Sequence, residues 1–244
     1  MRRLPTSDMN QPWFWQWNHD CFELLFRYLP PQPRTIDWAQ FLIMNPLLSS
    51  WIFAAAYFHY WTKDDGRRVD RRVELVRSFL ALLAAVLLTL LMRPWVQWPA
   101  PNINPQFISL FPRYLWGTGN WNCFPSHSTL AYFTVAIGFY SLNRAVSFIF
   151  MLATLLLISV PRIYVGGHYP IDVVFSCALA WVVSFIATKW REPQRLIDWL
   201  RTDRRSFVHS AVFFYWVFEL GEGFRGTELL FSAIRRWLLK TAGG

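Results

Sequence analysis

The chain has 244 residues, of which 54% are hydrophobic, 19% aromatic and 16% charged, a balance that excludes an ordinary soluble domain. Its net charge of +9 would suit a nucleic-acid binder, but the basic residues cluster between apolar runs, where membrane topology accounts for them. Three cysteines, Cys21, Cys123 and Cys177, are too few and too scattered for a disulfide scaffold or a zinc site; Cys21 and Cys123 would pair only if both lay outside the cytoplasm.

Met1-Arg-Arg could open a secretory signal, but Asp8, His19, Asp20 and Glu23 interrupt any apolar core. Residues 12–30 are aromatic yet carry His19, Asp20, Glu23 and Arg27, a mixture that predicts a helix lying in the membrane interface. Pro30, Pro31 and Pro33 end it. From Trp38 to Trp61 the chain is nearly free of charge and long enough to cross a hydrocarbon core of roughly 30 Å, giving a first span. His59 near its end reads as interfacial.

A basic stretch follows, with six Lys or Arg between Lys63 and Arg77, and then a short second span from Ser78 to Met92, which Arg77 and Arg93 can extend by snorkelling. Residues 94–123 hold five prolines and the tryptophans Trp95, Trp98, Trp116 and Trp121, and predict a loop folded down as a lid or lipid-contacting rim. A third span runs from Ser126 to Leu142, a fourth from Ala145 to Val160 and a fifth from Tyr169 to Thr188. Six more basic residues lie between Lys189 and Arg205. The remaining tail is apolar and aromatic but includes His209, Glu219, Arg225, Arg235 and Arg236; it reads as interfacial or packed helices, or as a sixth span.

The expected fold is therefore all-α: a polytopic membrane helix bundle of five transmembrane helices, or six, with interfacial helices. An interfacial aromatic segment (1–35) precedes a transmembrane core (36–190) and a basic, aromatic C-terminal segment (191–244). The positive-inside rule puts 63–77, Arg144 and 189–205 in the cytoplasm. Arg93, residues 125–128 and residues 162–168 then share the opposite face.

The chemistry concentrates between Ile158 and Asp172. Gly166-Gly167 breaks one apolar run, and Pro170 suits the first turn of the next helix. His168 and Asp172, four residues apart, fall on one helical face. A carboxylate one turn inside an apolar helix is expensive without a partner. If Asp172 takes the proton of one ring nitrogen of His168, the other is left as a nucleophile or general base. Arg162 would present a fork of donors to an anion. Taken alone, the stretch also reads as a capped helix junction with a snorkelling arginine.

Two further segments carry polar groups at span ends. In Phe124-Pro-Ser-His-Ser-Thr, Ser126 suits an N-cap, and the first-turn N–H groups with the helix dipole make a phosphate cradle. Ser128 and His127 lie beside it. Arg93-Pro94 closes the second span.

In spacing, Arg162-x5-His168-x3-Asp172 resembles the third signature of the type 2 phosphatidic acid phosphatase family, with Pro161 where that signature usually has serine. Pro125-Ser126-His127-Ser128 is similar to the second signature, Pro-Ser-Gly-His, with the imidazole one residue early. One residue turns a helix by about 100°. Arg93-Pro94 resembles the end of the first signature, Lys-x6-Arg-Pro, whose lysine position is Val86 here; Arg113 is a candidate substitute.

The resemblance implies an integral membrane lipid phosphatase of the bacterial inner membrane, its site facing the periplasm. His168 would attack phosphorus, oriented by Asp172, and His127 would protonate the leaving oxygen. Arg93, Arg162, Ser126 and Ser128 would bind phosphate, with no metal and no other cofactor. The implied partners are a lipid phosphate substrate (undecaprenyl diphosphate, phosphatidylglycerol phosphate, phosphatidic acid or a lipid A phosphate) and the surrounding lipids, with no nucleic acid. A lipid-to-lipid phosphotransferase, and an impaired member that only binds lipid phosphate or a partner protein, are the rival readings.

Overall fold

The computed structural model describes residues 13–45, 51–63, 66–92, 95–96, 98–117, 122–189 and 198. Among them the regular structure is entirely helical: α1 Trp13–Tyr28, α2 Pro33–Met44, α3 Ile52–Thr62, α4 Arg68–Met92, α5 His127–Gly138, α6 Arg144–Ala153, α7 Val160–Tyr164 and α8 Pro170–Lys189. A π-helical segment, Thr154–Ser159, joins α6 to α7 without a break. Apart from Asp198, the C-terminal segment from 190 onward lies outside the described residues, as does Arg93-Pro94.

Three helices are long and apolar enough to cross a membrane, Arg68–Met92, Arg144–Tyr164 and Pro170–Lys189. They correspond to the second, fourth and fifth expected spans. The second begins ten residues earlier than the charge pattern suggested, because the charged turns that precede Ser78 are also helical. Arg71 and Arg72 there fold back on the end of α3: the Arg71 Nε–H donates to the Tyr60 carbonyl at 3.3 Å, and the Arg72 guanidinium stacks on the Trp61 ring at 4.9 Å. Carbonyls that a helix leaves unsatisfied at its C-terminus thereby gain cationic donors.

Two expected spans differ. The continuous first span over 38–61 is instead α2 and α3, with α2 ending at Met44 and Asn45 extended (φ −96°, ψ 101°). Pro46 is the physical reason, since its ring disfavours a helical preceding residue and it donates no backbone hydrogen bond. The third span, expected over 126–142, is a helix of 12 residues, about 18 Å at 1.5 Å per residue and too short to cross alone. It is instead the axis of the bundle. Thr129 to Ile137 are all buried, packed against α4, α6 and α8.

Close approach of α5 to α4 depends on Gly138, where an added Cβ would meet Ser78 Oγ at 1.9 Å. The core around them is aromatic and aliphatic, with Phe53, Tyr57, Leu82, Val86, Val135, Phe139 and Phe150 in one buried cluster.

At the other end of α5 the loop between α4 and α5 packs with α1 and Tyr169. Phe107, Phe111 and Cys123 of the loop between α4 and α5 are buried with Phe22 of α1 and Tyr169 in one cluster, and Trp15 and Trp98 pack against it. Trp15 meets Tyr169 edge-on at 5.2 Å, and the Asn104 amide donates to the Tyr169 hydroxyl at 2.7 Å. An aromatic cap drawn from α1 and the loop therefore sits on the turn that leads into α8.

Candidate active site

The turn between α7 and α8 is set by glycine and held from two sides. Gly166 adopts φ +74°, open to glycine at little cost, and an added Cβ would meet both Asn102 Cβ and Phe111 Cε1 at 2.8 Å. From the cap, Asn102 donates its backbone N–H to the Gly166 carbonyl at 3.2 Å and its side-chain amide to the Val165 carbonyl at 3.3 Å. From within, the Arg162 carbonyl accepts from Gly167 N–H at 2.8 Å and His168 N–H at 3.3 Å. Arg162 and His168 are thus tied through the backbone.

Asp172, in the first turn of α8, is fully buried. Its Oδ2 accepts the Tyr169 backbone N–H at 2.8 Å, which closes the first turn as an N-terminal carboxylate should. The same Oδ2 lies 3.6 Å from His168 Nδ1, beyond hydrogen-bond length. His168 Nδ1, Asp172 Oδ1 and Arg162 Nε are all buried without a hydrogen-bond partner. A buried polar atom left unsatisfied costs about 1–3 kcal/mol, and three such atoms belong to residues of this one turn.

Ser126 occupies the N-cap position of α5, yet its hydroxyl does not cap the helix. It pairs with Thr129 Oγ1 at 2.9 Å, Thr129 pairs with Ser159 Oγ at 2.9 Å, and Ser159 donates to the Thr154 carbonyl at 3.1 Å. This chain of buried hydroxyls fastens the start of α5 to the π-helical segment three residues before Arg162. It leaves the first turn of α5, at the positive end of the helix dipole, without a cap from the Ser126 side chain.

His127 is the first residue of α5 and, with Ser128, is half-buried. Arg93 lies outside the described residues. Val86, at the lysine position of the resembled signature, is packed in the apolar core, and Arg113 stacks its guanidinium on Trp116 at 5.8 Å.

Sequence reasoning missed Thr129, the bond that joins it to Ser159, and the place of Cys123 beside the site. Cys123, Cys21 and Cys177 are all free thiols, so the Cys21–Cys123 bridge is not formed. Cys123 is buried beside the site, its backbone N–H bonded to the Trp98 carbonyl at 2.8 Å. One donor atom each from Cys123, His168 and Asp172 lies within 4.8 Å of the others, and His127 stands outside that group. Burial first, and then the charge of Asp172, push the Cys123 thiol well above its ordinary pKa. Burial does the same to Tyr169. No spacing rule would have joined Cys123 to residues 45 and more positions away.

Compared with known families, the chain matches the model of the PAP2 superfamily over residues 74–196, half of its length and the whole of this site. Curated proteins and solved structures give no match.

Proposed function

The chain belongs to the PAP2 superfamily, a family of membrane-associated phosphatases, and from that premise we propose that it hydrolyses a lipid phosphate or diphosphate through a phosphohistidine at His168. One observation carries the reading: the fully buried Asp172 carboxylate, fixed by the Tyr169 N–H, with its Oδ2 3.6 Å from His168 Nδ1.

A proton on Nδ1 directed at Asp172 leaves the Nε2 lone pair as the nucleophile. Phosphoryl transfer asks chiefly for positioning and for neutralisation of the equatorial oxygens. Arg162, the positive end of the α5 dipole, Ser126, Ser128 and Arg93 supply those. His127 protonates the leaving lipid oxygen, and water then attacks phosphorus and releases inorganic phosphate from His168. The acyl or polyprenyl chain stays in the bilayer, and the site faces away from the cytoplasm. Undecaprenyl diphosphate, phosphatidylglycerol phosphate, phosphatidic acid and a lipid A phosphate are the candidate substrates; the same intermediate could pass its phosphoryl group to a second lipid.

Two residues favour a second reading, an impaired member that binds lipid phosphate without turnover. Val86 is packed in the core where the signature has lysine, and His127 comes one residue early. The discriminating experiment is phosphate release from this lipid panel by detergent-purified protein in EDTA, beside His168→Ala and His127→Ala. Release by the wild type that His168→Ala abolishes supports the phosphohistidine. Lipid-phosphate binding without release on any substrate would give the second reading first place.

A further inference from the structure

We propose that Cys123, His168 and Asp172 form a binding site for a thiophilic divalent cation, Zn2+ or Cd2+, whose occupation switches the phosphatase off. The binding stands on geometry alone; the inhibition rests on the function proposed above.

The donor set is the first argument. A thiol, an imidazole and a carboxylate suit zinc and its softer relatives, whereas magnesium and calcium prefer oxygen ligands throughout. Distance is the second. Zinc bound at about 2.0–2.3 Å spans about 3.3–3.8 Å between tetrahedral ligands, and His168 Nδ1 already lies 3.6 Å from Asp172 Oδ2. All three donors sit within 4.8 Å of one another, so closure needs displacements of about an ångström.

A third argument comes from what the site lacks. His168 Nδ1 and Asp172 Oδ1 are buried with no hydrogen-bond partner, and Asp172 is 0% exposed. Such atoms gain more from a cation than solvated ones do. Backbone bonds hold all three ligands in place: Cys123 N–H to the Trp98 carbonyl, His168 N–H to the Arg162 carbonyl, and Tyr169 N–H to the Asp172 carboxylate. The last of these reaches the ligating group itself and is the kind of outer bond that orients a metal ligand.

Charge balances as well. On binding, the Cys123 thiol gives its proton to solvent and the thiolate joins the Asp172 carboxylate, so two negative charges meet a dication and the buried site is neutral. On His168 the cation takes the Nδ1 lone pair and the ring proton moves to Nε2. The nucleophilic lone pair is gone, and Asp172 no longer orients the ring. Inhibition follows from coordination without any change in fold.

The test uses full-length protein in detergent with Cys21→Ser and Cys177→Ser, so that Cys123 is the sole thiol, and Cd2+ as the probe. A thiolate-to-cadmium absorption band saturating at one ion per chain is expected, lost in Cys123→Ala and in the similarly sized Cys123→Ser. Absence of the band in the folded Cys123-only protein, or its persistence in Cys123→Ala, overturns the site. In parallel, Zn2+ should inhibit lipid phosphate release reversibly with EDTA, and Cys123→Ala should raise the inhibitory concentration at least tenfold; unchanged sensitivity overturns the inhibition. If no lipid is hydrolysed, the functional reading fails while the cadmium band still decides the site.

Discussion

Asn18 of α1 accepts a hydrogen bond from the backbone N–H of Ile171, 153 residues away, at 3.2 Å. A side chain from α1 thus caps the helix that carries Asp172. Asn18 is itself fully buried and donates to the Phe14 carbonyl at 2.9 Å. Asn18→Ala should cost about 0.5–2 kcal/mol of stability, the usual range for a lost N-cap, and lower phosphate release several-fold. Thermal unfolding beside a lipid phosphatase assay checks both; unchanged activity would confine Asn18 to stability.

Asp172→Asn keeps the size of the side chain and an acceptor for the Tyr169 N–H, but not the charge that faces His168. The rate of phosphate release should fall by about 10²–10⁴, with KM and the thermal midpoint nearly unmoved. A loss within tenfold would make Asp172 a structural cap and nothing more.

At Gly166 a methyl group meets Asn102 and Phe111 at 2.8 Å, on a backbone with φ +74°. Gly166→Ala should cost about 1–2 kcal/mol from the left-handed conformation, plus the clash, and displace His168. Gly66→Ala, where nothing lies within 4 Å of the added carbon, is the control and should retain full activity. Equal behaviour of the two variants would show that the turn is not pinned as described.

Alkaline pH should unfold the protein through Cys123 and Tyr169. Both are held above their ordinary pKa by burial, so the unfolded chain releases these protons first. The stabilisation is complete below the unfolded pKa of about 8.5 for Cys and about 10 for Tyr and is lost as pH rises beyond. Each group contributes a slope of up to about 1.4 kcal/mol per pH unit. Between pH 9 and 10 Cys123→Ser should show a shallower decline than the wild type in chemical denaturation; identical slopes would contradict the buried thiol.

What the sequence made legible was local. The apolar runs around Arg68–Met92, Arg144–Tyr164 and Pro170–Lys189 are real helices, and Gly166, His168, Pro170 and Asp172 sit in one turn because their spacing is short. What escaped were contacts between distant segments. Thr129 and Ser159 are 30 residues apart, and Asn18 meets Ile171 across most of the chain. The Asn45-Pro46 break was visible in principle, since a proline restricts its predecessor, but the apolar count around it hid the signal. The 12-residue α5 deceived for a related reason. A central helix is buried by its neighbours, so its apolarity resembles that of a lipid-facing span.

The aromatic cap also implies an order of assembly. Trp15, Phe22 and Asn18 face partners that include Tyr169 and Ile171, so α1 has no complete seat until Ile171 has been made. At about 5–20 residues per second, the 153-residue interval takes roughly 8–30 s. Until then the indole and phenyl rings of α1 lack the partners that bury them in the folded protein.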